Sequence, residues 1–264
     1  MSSQLFRTSL TAVSLCLGLS VAACGGSAPG TDDDASDANA AMSQSSAIEY
    51  MLTNPISSND AATAASSLAA AQWWPAGCAT RAKDSSNPIV TVTLTNCSGP
   101  FGLLKWSGTL TVTFAKNTDG TLNVKASSTN MTANGSPASF SLDRNITING
   151  TSTTREVKGS ANWTRTNAAG TLITHSNSWT AMVDSATKCR TLNGTAATTI
   201  GTQIVATTSK DYKICRTNGM DGCPSGTLSH ISASGDVVSV TFDGTSNAIV
   251  TGPRGTRTVG LICQ

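Results

Sequence analysis

Residues 89–95 read Ile-Val-Thr-Val-Thr-Leu-Thr, an alternation that puts Val90, Val92 and Leu94 on one side of an extended chain and Thr91, Thr93 and Thr95 on the other. Period two is a strand's signature, with one face buried and one wet. The pattern returns as Leu110, Val112 and Phe114 against Thr109, Thr111 and Thr113, and as Leu122, Val124 and Ala126 against Thr121, Asn123 and Lys125. Further runs lie at about 138–148, 154–166, 171–183, 188–198, 203–214, 226–232, 237–242, 247–251 and 256–262. Their separators carry residues that tolerate positive φ: Asp119-Gly120, Asn134-Gly135, Asn149-Gly150, Asn193-Gly194 and Asp243-Gly244. After Pro88 no connection is long enough for a parallel crossover, so the strands must pair antiparallel. The expected fold is all-β: an antiparallel meander of about a dozen strands closing into a barrel or sandwich, with a short N-terminal helical segment. The runs share no motif or fixed period, which excludes a solenoid or propeller.

Composition agrees with strands. Of 264 residues, 40 are Thr and 35 Ser, while 12% are charged and 5% aromatic. Thr stiffens the chain toward extended backbone, which argues against a helical bundle. A net charge of +2 excludes the strongly basic field of a dedicated nucleic-acid binder, and no nucleic-acid partner is expected.

The N-terminal region divides differently. Residues 1–23 carry one base, Arg7, before an apolar stretch from Leu10 to Leu19 that is too short to span a bilayer, which marks an export signal. The stretch ends in Val21-Ala22-Ala23-Cys24, which resembles the lipobox of bacterial lipoproteins. That resemblance implies cleavage between Ala23 and Cys24, diacylglycerol on the Cys24 sulfur, acylation of its amine (palmitate or similar) and effectively permanent membrane attachment. Residue 25 is Gly rather than the aspartate associated with inner-membrane retention, so the resemblance favours an outer-membrane lipoprotein, facing the periplasm or the cell surface. Residues 24–46 are too polar and too small to repay ordering entropy and are expected to form a disordered acidic tether. Residues 47–77 form a helical lead, with helix-compatible pieces at about 43–53 and 60–74 separated by Asn54-Pro55. Ser58 or Asn59 is available as N-cap for the second, and Trp73-Trp74 should dock it against the sheet. Residues 24–77 hold six acids and no base, whereas the β domain, 78–264, holds sixteen bases and nine acids. A cationic body on an anionic leash suits anionic lipid or envelope polysaccharide.

Cys16 leaves with the signal, so the body keeps Cys78, Cys97, Cys189, Cys215, Cys223 and Cys263, an even number that implies three disulfides in an oxidising compartment. Cys78 and Cys97 flank the first strand and are isolated from the rest. If 188–214 is a hairpin turning near Gly201, Cys189 and Cys215 fall at its open ends, and Cys223 is left for Cys263. The alternative joins Cys215 to Cys223 and Cys189 to Cys263. Zinc-site spacing is absent, and no metal or cofactor is expected. The segments Cys97-Ser-Gly-Pro-Phe-Gly, Ser107-Gly-Thr-Leu-Thr-Val, Cys223-Pro-Ser-Gly-Thr, Val240-Thr-Phe-Asp-Gly-Thr and Leu261-Ile-Cys263 together resemble parts of bacterial lipoproteins with a lipobox and a disulfide-stapled β body. That resemblance implies location and fold and carries no activity.

Catalytic groups are sparse. His175 shares strand parity with Ile173, Trp179, Ala181 and Val183 and is expected to complete a sheet face, as is His230 within Thr227-Leu-Ser-His-Ile. No Gly-x-Ser-x-Gly elbow or phosphate loop occurs. Thr-x-Thr rows at uneven separations in the chain read as ordinary solvent faces. The expected role is a non-catalytic binding or structural module whose ligand is an envelope polysaccharide or protein. The alternative is a small exported hydrolase acting on a glycan or peptide, which needs His175 or His230 in a cleft beside Ser or Asp.

Overall fold

The computed structural model describes residues 48–49, 52–53, 55–70, 75–97, 105–148, 153–167, 170–217 and 220–260. The proposed signal and lipidation positions, including Ala23 and Cys24, lie outside them, as do the whole tether at 24–46, Trp73-Trp74 and Cys263.

One helix, α1 (Ala61–Ala70), precedes the strands β1 (Ala79–Lys83), β2 (Ile89–Cys97), β3 (Trp106–Lys116), β4 (Leu122–Ala133), β5 (Ser136–Ile148), β6 (Thr154–Thr166) and β7 (Leu172–Asp184). They continue as β8 (Cys189–Ile200), β9 (Gln203–Thr217), β10 (Met220–Asp221), β11 (Ser225–Ile231), β12 (Val237–Asp243), β13 (Asn247–Gly252) and β14 (Gly255–Gly260). They form one sheet in chain order from β1 to β14, with the two-residue β10 set aside against β9. Every pairing is antiparallel, from the β1–β2 register Ala79↔Leu94 to the β13–β14 register Gly252↔Gly255. The ends of the path, β1 and β14, are not paired with each other among the described residues.

The alternation read from the sequence becomes an inner and an outer face. Val90, Val92, Leu110, Val112, Leu122, Val124 and Ile146 are fully buried on the inner one. The lead lies against that face and contributes Ile48, Leu52, Ile56, Ala64, Ala65 and Leu68 to the same hydrophobic cluster. Burying side chains of this size contributes roughly 1.5–3 kcal/mol each for the larger aliphatics, so the lead is an integral part of the core.

Two local expectations are corrected. The N-cap of α1 is Asp60, whose Oδ1 accepts the Thr63 N–H at 2.8 Å; Asn59 is taken instead by β5, donating to the Ile148 carbonyl at 2.9 Å. Asn193-Gly194 makes no turn. It interrupts β8 as a register shift between Leu192 and Gly194, with Asn193 Oδ1 accepting the Asp211 N–H at 2.7 Å. Gly194 has φ +150°, and a Cβ there would stand 2.2 Å from the Ser178 carbonyl oxygen. Gly159 in β6 is equally constrained, at φ +146° and 2.2 Å from the Asp143 oxygen. A side chain at either place would push neighbouring strands apart, so these glycines mark close backbone approach rather than loops.

Candidate functional site

Among the described residues the inner face is mostly apolar; its buried polar groups are His175, Thr198, Thr207, Ser209 and His230, and one cluster that carries charge. In β5, Arg144 shares parity with Phe140, Leu142 and Ile146 and so points inward, where it is 2% exposed. In β7, Asn177 sits between His175 and Trp179 on the corresponding inner face and is 4% exposed. Arg144 Nη1 donates to the carbonyls of Gly159 and Trp179, and Nη2 donates to Asn177 Oδ1 at 2.7 Å and to Glu49 Oε2. Asn177 Nδ2 donates to the other Glu49 oxygen, Oε1, at 2.7 Å, while its Oδ1 also accepts the Ala161 N–H at 3.1 Å. Both oxygens of a buried carboxylate from the lead are thereby held by two side chains of the sheet. Two charges removed from water survive only when paired and hydrogen-bonded in this way. A cavity of about 30 Å³ adjoins the cluster, lined among others by Glu49, Arg144, Arg155, Trp179, Arg190 and Leu192.

His175 lies nearby. It is 2% exposed, stacks on Trp163 with ring centroids 5.6 Å apart, and shares a 2.9 Å hydrogen bond between Nδ1 and Thr198 Oγ1. Burial pushes its pKa down to about 4, against a smaller upward pull from the Glu49 carboxylate. His230 is the same device three strands further along the sheet: 3% exposed, Nδ1 2.9 Å from Thr207 Oγ1, and pushed by burial to about 4. Neither histidine faces a cleft beside a serine or carboxylate nucleophile; both complete the inner face, as strand parity indicated. Buried ring nitrogens of Trp163, His175 and Trp179 have no hydrogen-bond partner among the described residues: Nε1, Nε2 and Nε1 respectively.

Of the cysteines singled out, Cys78 bonds Cys97 and Cys189 bonds Cys215. The first bridge ties the start of β1 to the end of β2; the second joins residues directly opposite in the β8–β9 register. Cys223 is disulfide-bonded as well, to a partner outside the described residues. No group of three or more His, Cys, Asp or Glu suited to a metal ion occurs among the described residues.

The outer face is rich in hydroxyls, interspersed with exposed hydrophobic side chains such as Met182 and Ile249. Serines and threonines unevenly spaced along the chain are brought into line by the register: Ser160, Ser178, Thr195, Thr208, Ser229, Ser239, Thr251 and Thr256 form one row across successive strands from β6 to β14. A shallow depression of about 330 Å³ lies on this face between Thr111, Thr113, Ser127, Ser141 and Asn162, with Lys125 and Asp143, paired at 3.4 Å, also in its lining.

Sequence reasoning missed the Glu49–Arg144–Asn177 cluster. Its signal was available: a charged and an amide residue at apolar parity within otherwise clean alternations. Comparisons with protein families, with curated proteins and with solved structures find no match.

Proposed function

We propose that this chain is an exported, lipid-anchored cell-envelope protein acting as a non-catalytic binding or structural module, fastened at Cys24 to the outer membrane. The observation that carries the non-catalytic part is the burial of both histidines against threonine hydroxyls, which removes the two residues best suited to general base work near neutral pH from any substrate. Disulfides at Cys78–Cys97 and Cys189–Cys215 fit an oxidising compartment outside the cytoplasm. The hydroxyl rows of the outer face offer many neutral donors and acceptors, which suits an envelope polysaccharide better than an apolar ligand.

We also read the sheet as curled into an unclosed barrel around the lead. A flat sheet thirteen strands wide would measure about 58 Å, far more than the lead can cover. Yet one hydrophobic cluster runs from Ile48 in the lead to Leu228 in β11. The alternative of a small hydrolase is disposed of by a turnover assay on a panel of envelope glycans and peptides. Activity that disappears in His175→Ala would overturn the non-catalytic reading, and absence of turnover in the wild type supports it.

A further inference from the structure

We propose that the rim of the sheet where β8 and β11 end and β9 and β12 begin is a membrane-contact surface, seated in the headgroup region of the bilayer to which the chain is tethered. The inference rests on the reading of Cys24 as the anchor and adds to it a second point of contact and an orientation.

The chemistry of the outer face changes abruptly along these strands. In register across β8, β9, β11 and β12, the row Thr195, Thr208, Ser229 and Ser239 carries only hydroxyls. Two residues further along the same strands, the row Ala197, Ala206, Ile231 and Val237 carries none. Ile204 stands beyond Ala206 on the same face of β9, and Leu172 begins β7 at the same end. Ile204, Ile231, Val237 and Leu172 are 53%, 43%, 48% and 54% exposed. Aliphatic side chains gathered at one rim, on strands that elsewhere turn hydroxyls outward, mark a contact surface.

The course of the lead and the distribution of charge identify the occupant as lipid. From Glu49, which meets Arg144 and Asn177, the lead runs to Ile56, whose carbonyl accepts from Arg155 near the opposite end of the sheet. Its N-terminal side is therefore directed toward the aliphatic rim. Trp179, whose carbonyl Arg144 contacts, is seven residues from Leu172 along β7, or about 23 Å. Cys24 lies 24 residues before Ile48, and a coil of that length reaches about 27 Å, enough to set the lipid at the level of the rim. Acids beside the turns are distributed to match: Asp84, Asp119, Asp184 and Asp243 stand at the opposite end, and among the described acids Asp236 alone stands at this one. A rim nearly free of carboxylates and rich in aliphatics approaches anionic headgroups without repulsion and can bury its side chains at the acyl boundary.

The test introduces Ile231→Trp and, at the opposite end of the outer face, Met182→Trp into the full chain. Each is incorporated into vesicles of phosphatidylethanolamine and phosphatidylglycerol, with or without bromine on the acyl chains, and the tryptophan emission added over wild type is measured. The expected result is that brominated lipid quenches about half of the emission added by Ile231→Trp and none of that added by Met182→Trp. Adding Ile204→Asp and Val237→Asp to Ile231→Trp should abolish the quenching. Val237→Trp, at the cross-strand partner of Ile231, carries the test if Ile231→Trp does not fold. Intact mass reports the anchor separately: quenching in a chain with unmodified Cys24 would support the contact surface while removing the anchor. No quenching at the rim, or equal quenching at both ends, would overturn the contact surface whatever the mass at Cys24. A dimer in sedimentation equilibrium with the rim unquenched would assign these side chains to a second copy of the chain and overturn it as well.

Discussion

At the scale of single residues, the costliest arrangement is the buried ion pair. Glu49 and Arg144 are 95 residues apart in the chain and meet only because the lead crosses β5. Removing one partner strands the other: Glu49→Ala should lower unfolding stability by about 3–5 kcal/mol, whereas a double change to methionine at both positions should recover most of the loss. Urea denaturation of the three proteins measures this, and a double variant no better than Glu49→Ala would show that the cost lies elsewhere. The histidines set the acid limit. Each has a folded pKa near 4 against 6.5 when exposed, so between those values the unfolded chain holds more protons than the folded one. Stability therefore stands at its full value above pH 6.5, falls as pH drops toward 4, and loses no more from these two groups below that, the loss being on the order of 3 kcal/mol per histidine. Replacing both with glutamine should flatten the denaturation midpoint between pH 6.5 and 4; an unchanged slope would refute their role. The parity that places Arg144, Asn177 and His175 inward was readable in the sequence. That Arg144 would meet Glu49 was not, because local alternation fixes which face a side chain takes and nothing about which distant segment covers it.

At the scale of elements, every strand from β2 to β9 and from β11 to β14 was legible, because aliphatic and polar residues alternate along much of their length and several of the turns carry Asp-Gly or Asn-Gly. Asn134-Gly135 is such a turn, with φ +51° and +80°. The strand β1, Ala-Thr-Arg-Ala-Lys, was missed because its alternation is too weakly apolar; it is a strand because it pairs with β2 and is covered on one side by α1. Asn193-Gly194 was misread as a turn for a related reason: a dipeptide that tolerates positive φ serves a bulge as well as a hairpin. The glycines therefore separate into two groups with different consequences. At Gly120, φ is +84° and a Cβ would meet nothing within 4 Å, so Gly120→Ala should cost only the left-handed backbone penalty of about 1–2 kcal/mol. At Gly159 a Cβ would collide with the Asp143 carbonyl and shift the carbonyl that receives Arg144. Gly159→Ala should cost more than Gly120→Ala and, unlike it, disturb the near-ultraviolet signal of Trp179. Equal losses with unchanged spectra would show that the inner strands can part without penalty.

At the scale of the molecule, the question is what holds together a long meander whose core contains many alanines. Hydrophobic burial is shared between the lead and the sheet, and the covalent links lie at strand ends: Cys78–Cys97 beside the start of β1, Cys189–Cys215 where β8 begins. Each bridge limits the unfolded chain and should contribute roughly 2–4 kcal/mol, so the paired change of Cys189 and Cys215 to alanine should lower the urea midpoint measurably while leaving the far-ultraviolet strand signal intact. For Cys223 the only cysteines left outside these bridges are Cys16, Cys24 and Cys263. If the signal is removed and Cys24 carries lipid, Cys263 alone remains to receive it, so the anchor and the third bridge are linked by elimination. A single experiment therefore tests both: protein extracted from membranes, digested without reduction, and mapped by mass. The expected result is an acylated peptide beginning at Cys24 together with a crosslinked pair containing Cys223 and Cys263. A peptide joining Cys223 to Cys24, or an unmodified chain still beginning at Met1, would remove the lipid anchor and with it the proposed place at the outer membrane.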